Sequence, residues 1–183
     1  MIFFLLWLFG PFDAVPEGAV SRFAPCRRGL SIAYEERRGD ALVFSMEEEV
    51  IGPGAEPRTC RLLRRSAKTG QKPRSEEWAI EHLPDRIANA GWVSTPTAFR
   101  PPMLMAPIAV GTHWHFNRSD FRVIGVGERV QLKAGVFDDT VRVEERASDG
   151  SAFRSERVYA AGIGLVLVTQ DQTRLEAVSV RVP

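Results

Sequence analysis

Histidine, lysine, cysteine and tyrosine are all scarce in this chain, and each shortage closes off a class of function. Its 183 residues include three histidines and two cysteines, without a Cys-x-x-Cys or His-Glu-x-x-His pattern, so the usual zinc and redox motifs are absent. No Gly-x-Ser-x-Gly elbow, phosphate-cradling loop or complete dinucleotide fingerprint is found either, and Gly125-Val126-Gly127 lacks both a third glycine and a following helix. Charge of one sign is missing as well. The formal net charge is +1, too small to steer the protein toward nucleic acid or a membrane. Basic side chains are almost all arginine, with lysine only at 68, 72 and 133. No 3.6-residue apolar stripe reaches ten residues, which leaves little room for helices beyond a short turn at Pro84 to Ala90.

Long hydrophobic runs are limited to the N-terminus. Met1 to Gly10 is the most apolar stretch, but nine residues of helix reach only about 13 Å, short of a bilayer core of ~30 Å. It fits a secretory signal better in length, although it lacks a basic leader and a small-x-small cleavage site. Residues 1–18 are therefore read as a signal-like segment, with a buried first strand as the alternative. Cys26 and Cys60 suit an exported protein. Paired, they would close a loop worth roughly 3–4 kcal/mol in chain entropy; unpaired, they would be two small core residues.

What the chain has in plenty is alternation. Leu30, Ile32 and Tyr34 share one face of an extended segment, as do Leu42, Phe44 and Met46. A Gly52-Pro53-Gly54 turn follows, then Cys60 and Leu62, and Trp78, Ile80 and His82. The second half continues with strands expected at 112–116, 121–132, 140–147, 153–169 and 173–182, separated by Asp149-Gly150 and Gln170-Asp171-Gln172. Three prolines interrupt the pattern between Thr95 and Pro102. In the apolar run Val158 to Val168, Gly162 and Gly164 clear one face of a strand, inviting sharp curvature or a close aromatic neighbour such as Trp114 or Phe137. The fold expected is all-β or nearly so: a curved antiparallel sheet of about ten strands in a half-barrel or open barrel, forming one domain over 19–183.

Three segments carry a resemblance. Ala106-Pro107-Ile108-Ala109-Val110-Gly111-Thr112-His113-Trp114 is similar to a PL-x-VGxxW motif, and Val130 to Val143, with Gly135 and Phe137, to V-x-VPAGTF-x-x-x-x-V. Tyr159 to Val166, with Gly162 and Gly164, is similar to YAPGVGLV. Lys133, Ala161 and Val136 depart from these patterns. Together they resemble a group of uncharacterised exported bacterial domains, many of them lipoproteins or periplasmic, whose sheet is expected to be a half-barrel like that of the lipoprotein carriers LolA and LolB. The likeness covers 100–180 well and 22–100 loosely. It implies a compartment, the periplasm or cell envelope, and a concave apolar face, but no catalytic residue and no cofactor.

Candidate chemistry is sparse. His113 and His115, two apart on a strand, could share a zinc ion if His82, Glu81 or Asp85 supplied a third ligand; if Trp114 faces the core, both instead face solvent. Asp138-Asp139 and Glu144-Glu145 are adjacent residues and so point to opposite faces of a strand, poor acid–base partners expected to be solvated or turn-forming. The run from Arg58 to Arg74 includes Arg61, Arg64, Arg65, Lys68, Lys72 and Arg74 and no acid. It is either a patch for anionic lipid headgroups, polysaccharide or an acidic partner, or a hairpin face neutralised by Glu47, Glu48 and Glu49. Without interleaved aromatics it does not suit nucleic acid. The function expected is a non-catalytic structural or interaction subunit of a bacterial envelope assembly, with an envelope protein as partner and peripheral membrane contact open to it. A carrier of lipid or another apolar ligand is the alternative, and a zinc hydrolase the third choice.

Overall fold

A computed structural model describes residues 20–93, 95–96 and 100–183, with the backbone alone at 95–96. The signal-like segment 1–18 lies outside them. A 3-10 turn (Ser21–Phe23) leads into β1 (Ser31–Arg38), β2 (Ala41–Pro53), β3 (Thr59–Lys68), β4 (Arg74–His82) and β5 (Arg86–Trp92). The short β6 (Thr95–Pro96), β7 (Pro102–Met105) and β8 (His113–Phe116) follow. β9 (Ser119–Leu132), β10 (Gly135–Ala147), β11 (Arg154–Ala160), β12 (Gly164–Gln170) and β13 (Thr173–Arg181) complete the chain. There is no α-helix among the described residues.

The expected curved antiparallel sheet is what forms. Its order is β6-β5-β4-β3-β2-β1-β13-β12-β11-β10-β9-β8, with β7 on β5. Two meanders, one from each half of the chain, meet where β1 pairs β13 from Ser31 opposite Arg181 to Arg38 opposite Thr173. Register shifts in the β1–β13, β2–β3, β4–β5, β9–β10 and β11–β12 pairings mark bulges that raise the local twist. So many twisted strands cannot stay flat, and the sheet rolls nearly into a barrel. At the seam, β7 approaches β8.

The described residues form thirteen strands, close to the expected ten or so, and three local features account for the additional ones. The run 153–169 is two strands, not one: residues 161–163 form a turn in which Gly162 adopts φ 75°, and Gly164 follows with φ 119°. These are left-handed backbone positions that side chains resist. Neither Trp114 nor Phe137 fills the space over them; a Cβ on Gly162 would meet nothing, and one on Gly164 would stand 3.8 Å from the Phe23 carbonyl. The helical turn expected at Pro84 to Ala90 is instead the start of β5. The proline-rich stretch yields the two short edge strands β6 and β7.

The core draws on both faces of the sheet, since the consecutive Val158 and Tyr159 of β11 are both buried. Phe23, Leu30, Val50, Trp78, Leu104, Trp114, Phe121 and Tyr159 belong to one buried cluster, and Ile32, Tyr34, Met46, Val158, Val166 and Ala177 to a second. Trp114 stacks on Phe121 with ring centroids 5.4 Å apart. Phe137 packs against the second cluster. Gly135 turns the β9–β10 hairpin at φ 136°, and the tip of that hairpin reaches β13, where Ala134 N–H donates to the Ala177 carbonyl at 3.1 Å.

Cys26 and Cys60 are joined in a disulfide across a separation of 34 residues, with Cα atoms 5.6 Å apart. It pins the segment before β1 to the start of β3. Replacing both cysteines with alanine is expected to cost about 3–4 kcal/mol in urea unfolding, the entropy of opening that loop in the unfolded chain. A second sensitivity lies at His82, which is 1 % exposed with both ring nitrogens lacking a hydrogen-bond partner. Burial holds its pKa below the ordinary 6.5. The folded chain therefore binds a proton less readily than the unfolded one, so this contribution is intact above pH 6.5 and is lost as pH falls through the folded value. Unfolding curves should show stability falling between pH 7.5 and 5.5, and His82→Phe should flatten that slope; an unchanged slope would contradict it.

Candidate functional site

Rolling the sheet leaves more space inside than its side chains fill. A half-open cavity of about 650 Å³ runs along the inner face, within the range of small-molecule sites. At one end Phe23, Ala24 and Pro25 line it, beside the β11–β12 turn, where Gly162 N–H donates to the Arg22 carbonyl at 2.7 Å. Phe23 is fully buried there. At the other end the lining includes Phe44, Asn117 and Leu175, close to the opposite hairpin turns. Between them the wall is mostly apolar, with Met46, Leu62, Ile163 and Leu165 prominent.

Four charged side chains interrupt that wall: Glu48 on β2, Arg64 on β3, Glu145 on β10 and Arg157 on β11. Arg64 donates through Nε and Nη2 to Glu48 Oε1 at 2.8 and 2.5 Å. Arg157 donates through Nη2 to Glu145 Oε2 at 2.5 Å. In both pairs the carboxylate is the deeper partner, its side chain 10 % and 11 % exposed, against 28 % and 29 % for the guanidinium. Each guanidinium also rests on aromatic faces, Arg64 at 4.9 Å from Trp78 and 5.5 Å from Trp92, Arg157 at 5.6 Å from Phe121. Both arginines stand on the second strand outward from the β1–β13 pair.

Burial pushes the Glu48 carboxyl above its ordinary pKa, opposed by the charge and hydrogen bonds of Arg64. The Trp78 indole N–H also favours the Glu48 anion, yet it stops short of a hydrogen bond and has no other partner. Tyr34 and Tyr159 sit between the two ion pairs electrostatically. Burial raises the pKa of both, with Glu48, Arg64 and Tyr159 acting on Tyr34, and Arg157 and Glu145 on Tyr159. Their hydroxyls donate to the Leu165 carbonyl at 2.8 Å and the Met103 carbonyl at 3.3 Å, so both phenols stay neutral props of the wall.

The sequence patch 58–74 is thereby divided. Arg64 points inward. Arg65 meets Glu47 and Glu49 at 3.5 and 3.2 Å, the neutralisation across the β2–β3 hairpin that the sequence offered, and Arg61 meets Glu77 on β4 at 3.5 Å. Lys68, Lys72 and Arg74 are exposed at the β3–β4 end and make no ion pair among the described residues. The Glu144-Glu145 pair does point to opposite faces, but neither residue is solvated as expected. Glu144 is held by Arg146 and Arg154 at 2.8 Å each, and its hydrogen bond from Arg146 leads in lowering its pKa. Asp138 and Asp139 are ion-paired too, to Arg129 and Arg22.

His113 and His115 flank the buried Trp114 and are exposed. His115 Nδ1 lies 2.9 Å from Asp120. The acids considered as third ligands are engaged elsewhere, Glu81 near Arg100 and Asp85 with Arg86. Among the described residues no three of His, Cys, Asp and Glu converge as a metal would require.

The two inward ion pairs were readable in principle. Glu48 shares parity with Met46 and Val50, and Arg64 with Leu62, so alternation places both on the apolar face. A run of three glutamates hides this, because consecutive charges read as solvated surface.

The chain matches no family model and no curated protein sequence. Its fold does match solved structures. A candidate exported protein with a YmcC-like fold from Bacteroides fragilis superposes with a TM-score of 0.62 at 15 % identity, over 85 % of this chain and 97 % of that one. A candidate lipoprotein from Parabacteroides distasonis gives 0.59 at 14 % identity, over 87 % and 98 %. At such identities the likeness concerns the fold.

Breaking one inward pair from one side tests its geometry. Arg64→Ala leaves Glu48 buried without a counter-charge and is expected to cost about 2–4 kcal/mol. The double variant Glu48→Gln/Arg64→Gln, which keeps shape and removes both charges, should recover most of that in urea unfolding. Equal losses in the two variants would contradict the placement of Glu48.

Proposed function

We propose that this is an exported, non-catalytic binding domain that holds an apolar or amphipathic ligand along the inner face of its rolled sheet. The observation that carries the reading is the cavity itself: about 650 Å³ of half-open space with a mainly apolar wall. A chain that needed only a scaffold would fill such a volume with side chains, since empty apolar space sacrifices packing. The carrier-like alternative thus takes precedence over the structural-subunit reading. Two observations support export: the disulfide, which suits an oxidising compartment, and the export and lipoprotein descriptions of the two proteins that share the fold.

Binding rather than catalysis is supported by the occupancy of the site's acids. Glu48 and Glu145 are both bound by guanidinium groups, and the described residues of the lining include no histidine or cysteine to pair with them as base or nucleophile. The structural or interaction role keeps one specific support. Lys68, Lys72 and Arg74 present an exposed basic tip to an anionic envelope partner or membrane surface.

Uptake of N-phenyl-1-naphthylamine, whose fluorescence rises in apolar surroundings, tests the reading. Saturable uptake near one probe per chain is expected. Leu165→Trp, which places an indole in the lumen, should weaken it about tenfold by overfilling the space while leaving the folded far-UV spectrum intact. Native mass spectrometry of gently purified protein should also retain lipid-sized adducts. Absence of saturable uptake together with a clean unliganded mass would remove the carrier reading.

A further inference from the structure

The inner ion pairs are poorly explained as stabilising devices. A buried salt bridge loses in desolvation much of what it gains in attraction, and apolar residues of similar volume often serve stability as well. Two such pairs nevertheless face one cavity, on equivalent strands, with matching depth: carboxylate behind, guanidinium in front. Arg64 uses two of its five N–H groups on Glu48. The other three have no hydrogen-bond partner among the described residues, and Arg157, which serves Glu145 and acts on the Tyr159 hydroxyl, has more N–H groups than those two partners use. The guanidinium groups turned toward the space therefore keep donors to spare, and the carboxylates behind them each accept from a guanidinium through one oxygen.

We infer that the cavity selects an amphipathic ligand with an anionic head, a phosphate or a carboxylate, bound by the unpaired guanidinium N–H groups of Arg64 and Arg157 while its chain lies along Met46 and Leu165. The chemistry follows from the donor set. A guanidinium edge matches two oxygens of a phosphate or carboxylate. Glu48 and Glu145 fix the orientation of that edge from behind, and the aromatic faces of Trp78, Trp92 and Phe121 hold the guanidinium planes. A cationic or purely apolar ligand would leave these donors buried and unsatisfied, at a cost no wall contact returns. This rests on the cavity reading proposed above and adds to it the sign of the ligand's charge.

The test is displacement of N-phenyl-1-naphthylamine by dodecyl phosphate, dodecanoate, dodecanol and dodecylammonium, with inorganic phosphate alone as a chain-free probe. At least one of the two anions should compete about tenfold or more better than dodecanol, dodecylammonium should compete worst, and inorganic phosphate should not compete. Whichever anion leads tells a phospholipid-type head from a fatty acid. The charge-neutral double variants Glu48→Gln/Arg64→Gln and Glu145→Gln/Arg157→Gln should each erase most of the anion's advantage over dodecanol, measured as the ratio of the two within each variant. Equal competition by anionic and neutral chains, or an advantage that survives both double variants, overturns the head-group assignment while the apolar cavity stands. Failure of the wild-type protein to take up the probe at all removes the cavity reading, and this inference with it.

Discussion

The pairing of β1 with β13 is the constraint on which the rest of the molecule depends. It joins the first strand of the sheet to the last across eight residue pairs, and so fuses two meanders, each too open to bury its own inner face, into one continuous sheet. Twist accumulated over that many strands then forces the roll. Side chains bridge part of the interior created, Tyr34 reaching from β1 past β13 to the Leu165 carbonyl on β12 and Tyr159 from β11 to the Met103 carbonyl on β7. The cavity is thus a consequence of strand number and curvature, and what lines it is decided by parity along each strand.

The N-terminal segment completes this arrangement. Phe23 enters the core beside the β11–β12 turn, and the Cys26–Cys60 disulfide holds the following residues against β3. The two glycines of that turn meet the segment directly, through Gly162 N–H to the Arg22 carbonyl. Their left-handed backbone is what lets the chain reverse between two apolar strands. One end of the lumen is thereby furnished by local chain, while toward the other end its lining runs out to residues beside the hairpin turns.

Alternation made the architecture legible, since Leu30-Ile32-Tyr34 and Leu42-Phe44-Met46 have no sensible reading other than half-buried strands. The turn inside Val158 to Val168 was not legible, because its residues are as apolar as the strands it joins and only the backbone angles of Gly162 and Gly164 reveal it. β5 was obscured by the small residues Ala88 and Ala90, which blur a period of two. The site was the least legible part. Glutamate and arginine on strands normally mark the wet face, and here Glu48, Arg64, Glu145 and Arg157 mark the inner one. Each pair forms between neighbouring strands of one hairpin; what brings the two pairs to one cavity is the roll of the sheet, a long-range property no local pattern carries.

The central claim is that the inner face is accessible space for an alkyl chain and not a packed core. A crystal structure of the protein soaked with an alkyl chain carrying a terminal bromine measures this most directly. Anomalous bromine density within the lumen, near Met46, Leu62 and Leu165 and away from the β3–β4 tip, is the result the account predicts. An empty lumen closed by inward collapse of Phe44 and Leu175, with bromine bound only on the outer surface or nowhere, would contradict it.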